Sequence, residues 1–167
     1  AERRARLRRH AAVRSHLPGF VGALAEIAYN VPAFWRLWRA ARRFRPDLIY
    51  ERYNLFYVAG AWLAHWLRVP LFLEVNAPLA LERARFGGLG LPRAASWFEA
   101  HVWRLADKVL PVTGVLQRLV VAAGVSAERV TVVPNGIDPA EFFATAPVAH
   151  ARTVLGFVGF VRDWHGL

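Results

Sequence analysis

The chain has 167 residues, with 22 Lys+Arg against 12 Asp+Glu and a formal charge of +10 at pH 7. That length suits about one domain, and a composition 56% hydrophobic and 20% charged can bury a core, unlike a disordered polyelectrolyte. There is no cysteine, which excludes disulfide scaffolds, thiolate metal sites, iron–sulfur clusters and cysteine nucleophiles.

The charge is unevenly spread. Residues 1–45 hold 11 Arg and 2 acids, a net of +9, whereas residues 46–167 hold 11 Arg+Lys and 10 acids, a net of +1. Such a basic segment invites a nucleic-acid or membrane reading. The aromatic residues read as core and no nucleic-acid-binding motif is present, so nucleic acid is not an expected partner.

In chain order, Ala1 to about Ser15 is Arg/Ala-rich and reads as an exposed helix. Leu17–Trp35 is the most membrane-like stretch, yet it holds Glu26, Asn30, Pro18 and Pro32. A central acid costs about 2.5–3.5 kcal/mol on insertion, and prolines shorten the helix, so a spanning segment is not expected. Pro32 opens a helix in which Phe34, Leu37, Ala41 and Phe44 recur at helical spacing, with Arg36, Arg39 and Arg43 on the other side; Pro46 closes it.

From there strands and helices alternate. Asp47–Tyr50 reads as a strand, Leu55–Leu67 as a helix, Pro70–Val75 as a strand and Pro92–Ala106 as a helix. Lys108–Val112 reads as a strand, Gly114–Ala123 as a helix ended by Gly124, and Arg129–Val133 as a fourth strand. Nearly all-apolar strands separated by helices predict an α/β fold, a doubly wound parallel sheet covered on both faces. Thr153–Gly159 is again strand-like and follows an Ala/Thr/Pro/His linker, which suggests the start of a second domain.

Ligands in such sheets sit at the carboxyl ends of the strands. Those ends carry Glu51-Arg52-Tyr53-Asn54, Glu74-Val75-Asn76, Thr113-Gly114 and Pro134–Asp138. Arg52 faces the cleft or pairs with Glu51 or Asp47. Glu74 and Asn76 face it too, or Asn76 caps a turn before Pro78. Arg85–Leu91 is Gly-rich but follows no strand directly, which fits a mobile loop better than a dinucleotide fingerprint. Six scattered His with no His-x-x-x-His pair predict no metal site.

The run Val109–Phe142 (strand, Thr113-Gly114, helix, Gly124-Val125, strand, Pro134-Asn135-Gly136-Ile137-Asp138, Phe142) resembles the interdomain region of glycosyltransferase family 4, which has the GT-B fold. PDLIYERYNLF and PLFLEVNAPLALER resemble its N-terminal domain, and LGFVGFVRDWHGL the first strand and phosphate loop of its C-terminal domain. The resemblance covers about residues 46–167. It implies a Rossmann-like half of a GT-B fold, incomplete at both ends. Residues 1–143 would form a partial acceptor-side domain with a basic helical segment 1–45, residues 144–152 a linker, and 153–167 the start of a truncated donor domain. The family's Glu-x(7)-Glu motif would fall beyond Leu167, which leaves the catalytic residues unassigned and implies a fragment inactive alone.

By that resemblance the protein is a glycosyltransferase of hexosyltransferase type. It would move a sugar from a nucleotide-diphosphate sugar, a co-substrate rather than a cofactor, to a carbohydrate or lipid-linked acceptor, with retention and without metal. Gly159, Arg162, His165 and Gly166 would bind the donor diphosphate, although Phe160 stands where the family has Arg and His165 where it has Lys. The alternative is that the two glycines only permit tight turns. Glu74, Asn76 and Arg52 would line the acceptor or sugar cleft. Asn135-Gly136 is a turn at the domain junction or a donor contact. The enzyme would be cytoplasmic, with peripheral contact at the inner face of the membrane. Two alternative readings are a membrane-surface module using the basic Trp-bearing helices and a GT-B nucleotide-sugar epimerase relative.

Overall fold

A computed structural model describes residues 19–87, 89–142, 152, 154 and 156–159. The expected helix 1–15, all of the expected linker but Arg152, and Arg162, His165 and Gly166 lie outside them. The chain divides between Pro134 and Asn135 into two compact units.

In the first unit, the membrane-like stretch breaks at Tyr29 into α1 (Gly19–Ala28) and α2 (Asn30–Phe44). Pro32 is the third residue of α2, within the first turn, where a backbone N–H would have no helical partner. Glu26 of α1 pairs with Arg83 at 2.7 Å. Among the described residues no helix is long and apolar enough to cross a membrane. α2 stops where Arg45 turns left-handed (φ 52°) and donates its N–H to the Ala41 carbonyl, just before Pro46.

Strands β1 (Ile49–Arg52), β2 (Leu71–Val75) and β3 (Lys108–Pro111) form a parallel sheet in the order β1-β2-β3. The first strand lies two residues later than its apolar run suggested. Its ends are set by its partner, through the pairs Ile49↔Leu71 to Arg52↔Glu74. Helix α3 (Ala59–Leu67) fills the first crossover, α4 (Leu79–Phe86) and α5 (Pro92–Leu105) the second, and α6 (Gly114–Ala122) follows β3. Leu71, Leu73, Val75 and Val109 are buried on one face of the sheet, in a core with Ala61 and Ala64 of α3, Val102 of α5, and Leu116 and Val120 of α6. The opposite face carries Tyr50, Arg52, Phe72, Glu74 and Lys108, all exposed or half-buried.

Two loop-to-helix junctions are made by side chains distant in sequence. Asn30 is 2% exposed and satisfies its whole amide. Its Nδ2 donates to the carbonyls of Ile27 (2.9 Å) and Phe56 (2.8 Å). Its Oδ1 accepts the N–H groups of Val58 (2.7 Å) and Ala59 (3.0 Å), the first donors of α3. The loop it grips holds Phe56 at φ 66°, a left-handed conformation costly for a bulky residue. This grip explains why α3 starts at Ala59 and not at Leu55. Likewise Glu99 of α5 accepts the N–H of Ala80 at the start of α4. Helix α4 went unread in the sequence because its cap lies nineteen residues away.

The loop after α4 is pinned, not loose, at Gly90. A Cβ there would run into the backbone of Gly19 and Phe20. Gly124 ends the turn after α6 at φ 92°, as its position suggested.

The expected fourth strand is reduced to one bridge, Val109↔Val130, after a 3-10 turn at Ala127–Arg129. Thr131 and Val133 still donate to the carbonyls of Val109 and Pro111, each at 3.0 Å. The return bond would need an N–H on residue 111, and proline has none, so the ladder cannot extend.

In the second unit, the Asp138 carbonyl accepts the N–H groups of Glu141 and Phe142, and its carboxylate accepts that of Ala140 at 2.8 Å. The described residues of the expected strand 153–159 are not in strand pairing.

Asn30→Ala leaves two N–H groups and two carbonyls without their partner, and should cost about 3 kcal/mol. The measurement is a lower urea midpoint at unchanged slope. Gly22 and Gly90 should respond with opposite signs. Gly22 lies mid-helix in α1 with open space around it, so Gly22→Ala should gain about 0.5–1 kcal/mol. Gly90→Ala should lose about 1–3 kcal/mol, because backbone must move. Thermal midpoints of the two variants read this directly.

Candidate functional site

At the carboxyl end of the sheet, strand pleating puts Tyr50 and Arg52 on the exposed face, and register sets Arg52 beside Glu74. Glu74 is the centre of the group. Its Oε2 accepts the Tyr50 hydroxyl at 2.7 Å, and its Oε1 accepts Asn76 Nδ2 at 2.5 Å. Arg52 Nε stands 3.7 Å from Oε1, an ion pair with an exposed guanidinium. The Asn76 bond first, then the Tyr50 bond, hold the Glu74 carboxyl below its ordinary pKa; the Arg52 charge adds to this and partial desolvation opposes it. The Tyr50 phenol moves up in return, chiefly through that same bond. Glu74 is therefore a carboxylate at neutral pH, a strong hydrogen-bond acceptor and a weak base.

Three sequence-predicted residues are thus brought together. Arg52 pairs with Glu74, and with neither Glu51 nor Asp47. Asn76 spends its amide on Glu74. Tyr50 was missed, although it lies two residues before Arg52 and a strand places such residues on one face. Thr113 accepts the Leu116 N–H at 3.2 Å and caps α6. Asn135 and Gly136 belong to the second unit and are exposed, with open space around Gly136. Gly159 is described and exposed.

The other face of β1 has a different character. Glu51 points toward α3, where Gly60 leaves room for its carboxylate. It borders an apolar groove of about 410 Å³ lined by Leu37, Ala41, Phe44, Ile49 and Leu63. Burial raises its pKa from 4.5 to about 7. Glu99 is likewise raised to about 7 by burial, against the lowering effect of backbone N–H bonds from Ala80 and Leu79. Tyr53 is pushed up by burial and by the nearby Glu99 charge. Its hydroxyl and the Trp103 indole N–H are buried without a hydrogen-bond partner among the described residues, and the two rings meet edge to face with centroids 6.0 Å apart. Among the described residues no three His, Asp or Glu side chains converge as metal ligands would.

A parallel α/β layer with a polar group at its strand ends is a Rossmann-like half, consistent with a GT-B fold. The model of the family Glycosyltransferase Family 4 matches residues 1–141, and the chain belongs to that family. The match takes in the basic segment 1–45, which the motif resemblance had left out. No curated protein matches the chain.

The buried acids give a pH dependence with a definite sign. Unfolded, Glu51 and Glu99 release their protons near pH 4.5; folded, they keep them to about pH 7. Their contribution to stability is therefore full below about pH 4.5 and lost as pH rises through about 7. Glu51→Gln should leave stability unchanged at pH 4 and raise it by about 1–3 kcal/mol at pH 8. Urea unfolding of both proteins across pH 4–8 checks this.

Proposed function

We propose that the protein transfers a sugar from a nucleotide-diphosphate sugar to a carbohydrate or lipid-linked acceptor, with retention and without a metal ion. The observation that carries this reading is the Glu74 carboxylate, held ionised at the end of the central strand by Tyr50, Asn76 and Arg52. Such a carboxylate accepts hydrogen bonds from sugar hydroxyls and fixes their orientation. Its depressed pKa suits holding a hydroxyl rather than stripping its proton.

In the reaction, the acceptor oxygen bonds to the anomeric carbon. The bond from that carbon to the diphosphate breaks, and the nucleoside diphosphate leaves with the electron pair and takes up the acceptor's proton. Charge developing on that diphosphate calls for cations and N–H donors. We assign that role to Gly159, Arg162, His165 and Gly166, with Asn135 and Gly136 as further donor contacts. Membership of the family supports a glycosyltransferase, and its site of action would be cytoplasmic.

The test uses the full chain with a panel of uridine- and guanosine-diphosphate sugars and alkyl glycosides as acceptors. Nucleoside diphosphate release reports turnover, and saturation-transfer NMR reports acceptor binding. Glu74→Gln should weaken acceptor binding, or kcat/KM, by about 10–100-fold, the worth of a hydrogen bond to a charged group. Unchanged binding and turnover in this variant would remove Glu74 from the site.

A further inference from the structure

Helices α2 and α3 pack on each other and leave an aromatic groove between them on the protein surface. It has a volume of about 380 Å³ and is lined by Val31, Phe34, Trp35, Trp62, His65 and Trp66. Its walls are strongly exposed: Val31 60%, Trp35 52%, Trp62 46% and Trp66 70%. Three exposed tryptophans around one apolar hollow form a larger patch than scattered surface residues do. Arginines flank it. At 100° per residue, Arg36, Arg39 and Arg43 form a stripe on α2 next to Trp35, on the side away from buried Ala41. All three are exposed, and none has an acidic partner among the described residues. Arg42 lies over the Trp38 ring at 4.9 Å.

We infer that this α2–α3 face docks on an anionic lipid surface, with Trp35, Trp62 and Trp66 entering the interfacial zone and the groove between them receiving hydrocarbon. The arginine stripe meets the headgroups. Tryptophan is suited to this boundary because its ring is apolar and its N–H can stay hydrated. Arginine stems lie along apolar surface while their charges stay in water. An amphipathic surface of this kind binds through buried apolar area together with attraction to anionic lipid, so both parts are needed. A nucleic acid would take the arginines but leave a hollow of carbon unfilled. The docking face is independent of the glycosyl-transfer reading and stands or falls separately.

The experiment is co-sedimentation of the full chain with vesicles of phosphatidylcholine alone and of phosphatidylcholine with one quarter phosphatidylglycerol. The variants are Trp62→Ala/Trp66→Ala and Arg36→Ser/Arg39→Ser/Arg43→Ser. All five positions are exposed, and far-UV circular dichroism verifies that each variant keeps its fold. The expected result is binding that rises at least tenfold with the anionic lipid and falls about tenfold or more in the tryptophan pair. The arginine variant should lose the preference for anionic lipid. Brominated acyl chains should quench the wild-type tryptophan fluorescence and quench the tryptophan pair variant less. Absence of binding to both vesicles would overturn the inference, as would binding unchanged in the tryptophan pair. A homodimer in sedimentation that dissociates in the tryptophan pair variant would assign the groove to a second copy and overturn it too.

Discussion

One buried amide organises the amino half of the domain. Asn30 begins α2, but its side chain serves other segments: the end of α1, the loop after β1 and the start of α3. Two donors and two acceptor positions are all matched, so the group is buried with its polarity fully satisfied. Leucine or alanine there would leave the α3 N-terminus and the Phe56 carbonyl unsatisfied in the core. The left-handed turn at Phe56 needs such a hold, because little in its own sequence favours it. That turn in turn fixes where the chain, having left β1, enters α3.

The strand β1 shows how alternation alone separates two kinds of carboxylate environment. Glu51 faces the core side, finds no donor among the described residues and is raised to about 7. Arg52, one residue on, faces the open side, where it helps keep Glu74 ionised. Desolvation decides the first case and hydrogen bonding the second. An acid that stays charged is fit for gripping hydroxyls, whereas a buried one couples folding to pH. The two roles need not interfere, because the sheet lies between them.

What could be read from the sequence follows the range of the interaction concerned. The α/β order, the parallel sheet and most helix ends rest on local signals: Pro46, Gly124, and apolar runs such as Leu71–Val75. Arg52, Glu74 and Asn76 were singled out because a parallel sheet places its ligands at strand ends, a rule that needs no coordinates, and the structure brings the three together. Helix α4 and the start of α3 escaped because their caps, Glu99 and Asn30, come from other elements. Tyr50 escaped for another reason. It was counted as part of an apolar run, and only the register with β2 puts its hydroxyl on Glu74. The short fourth strand was misjudged because a proline in the neighbouring strand, not its own residues, limits its pairing.

That proline has a further effect. A parallel strand with a free edge offers its backbone to any other extended chain, which is the usual starting point of aggregation. Here the segment after Ala127 covers the outer edge of β3 through a few bonds, and segments held so lightly open more often than a sheet interior does. When it opens, Pro111 presents a ring where the edge would otherwise offer a donor. A foreign strand then meets an interrupted template. The missing hydrogen that shortens the native sheet also caps its growth, so the same residue keeps an exposed edge from becoming a seed.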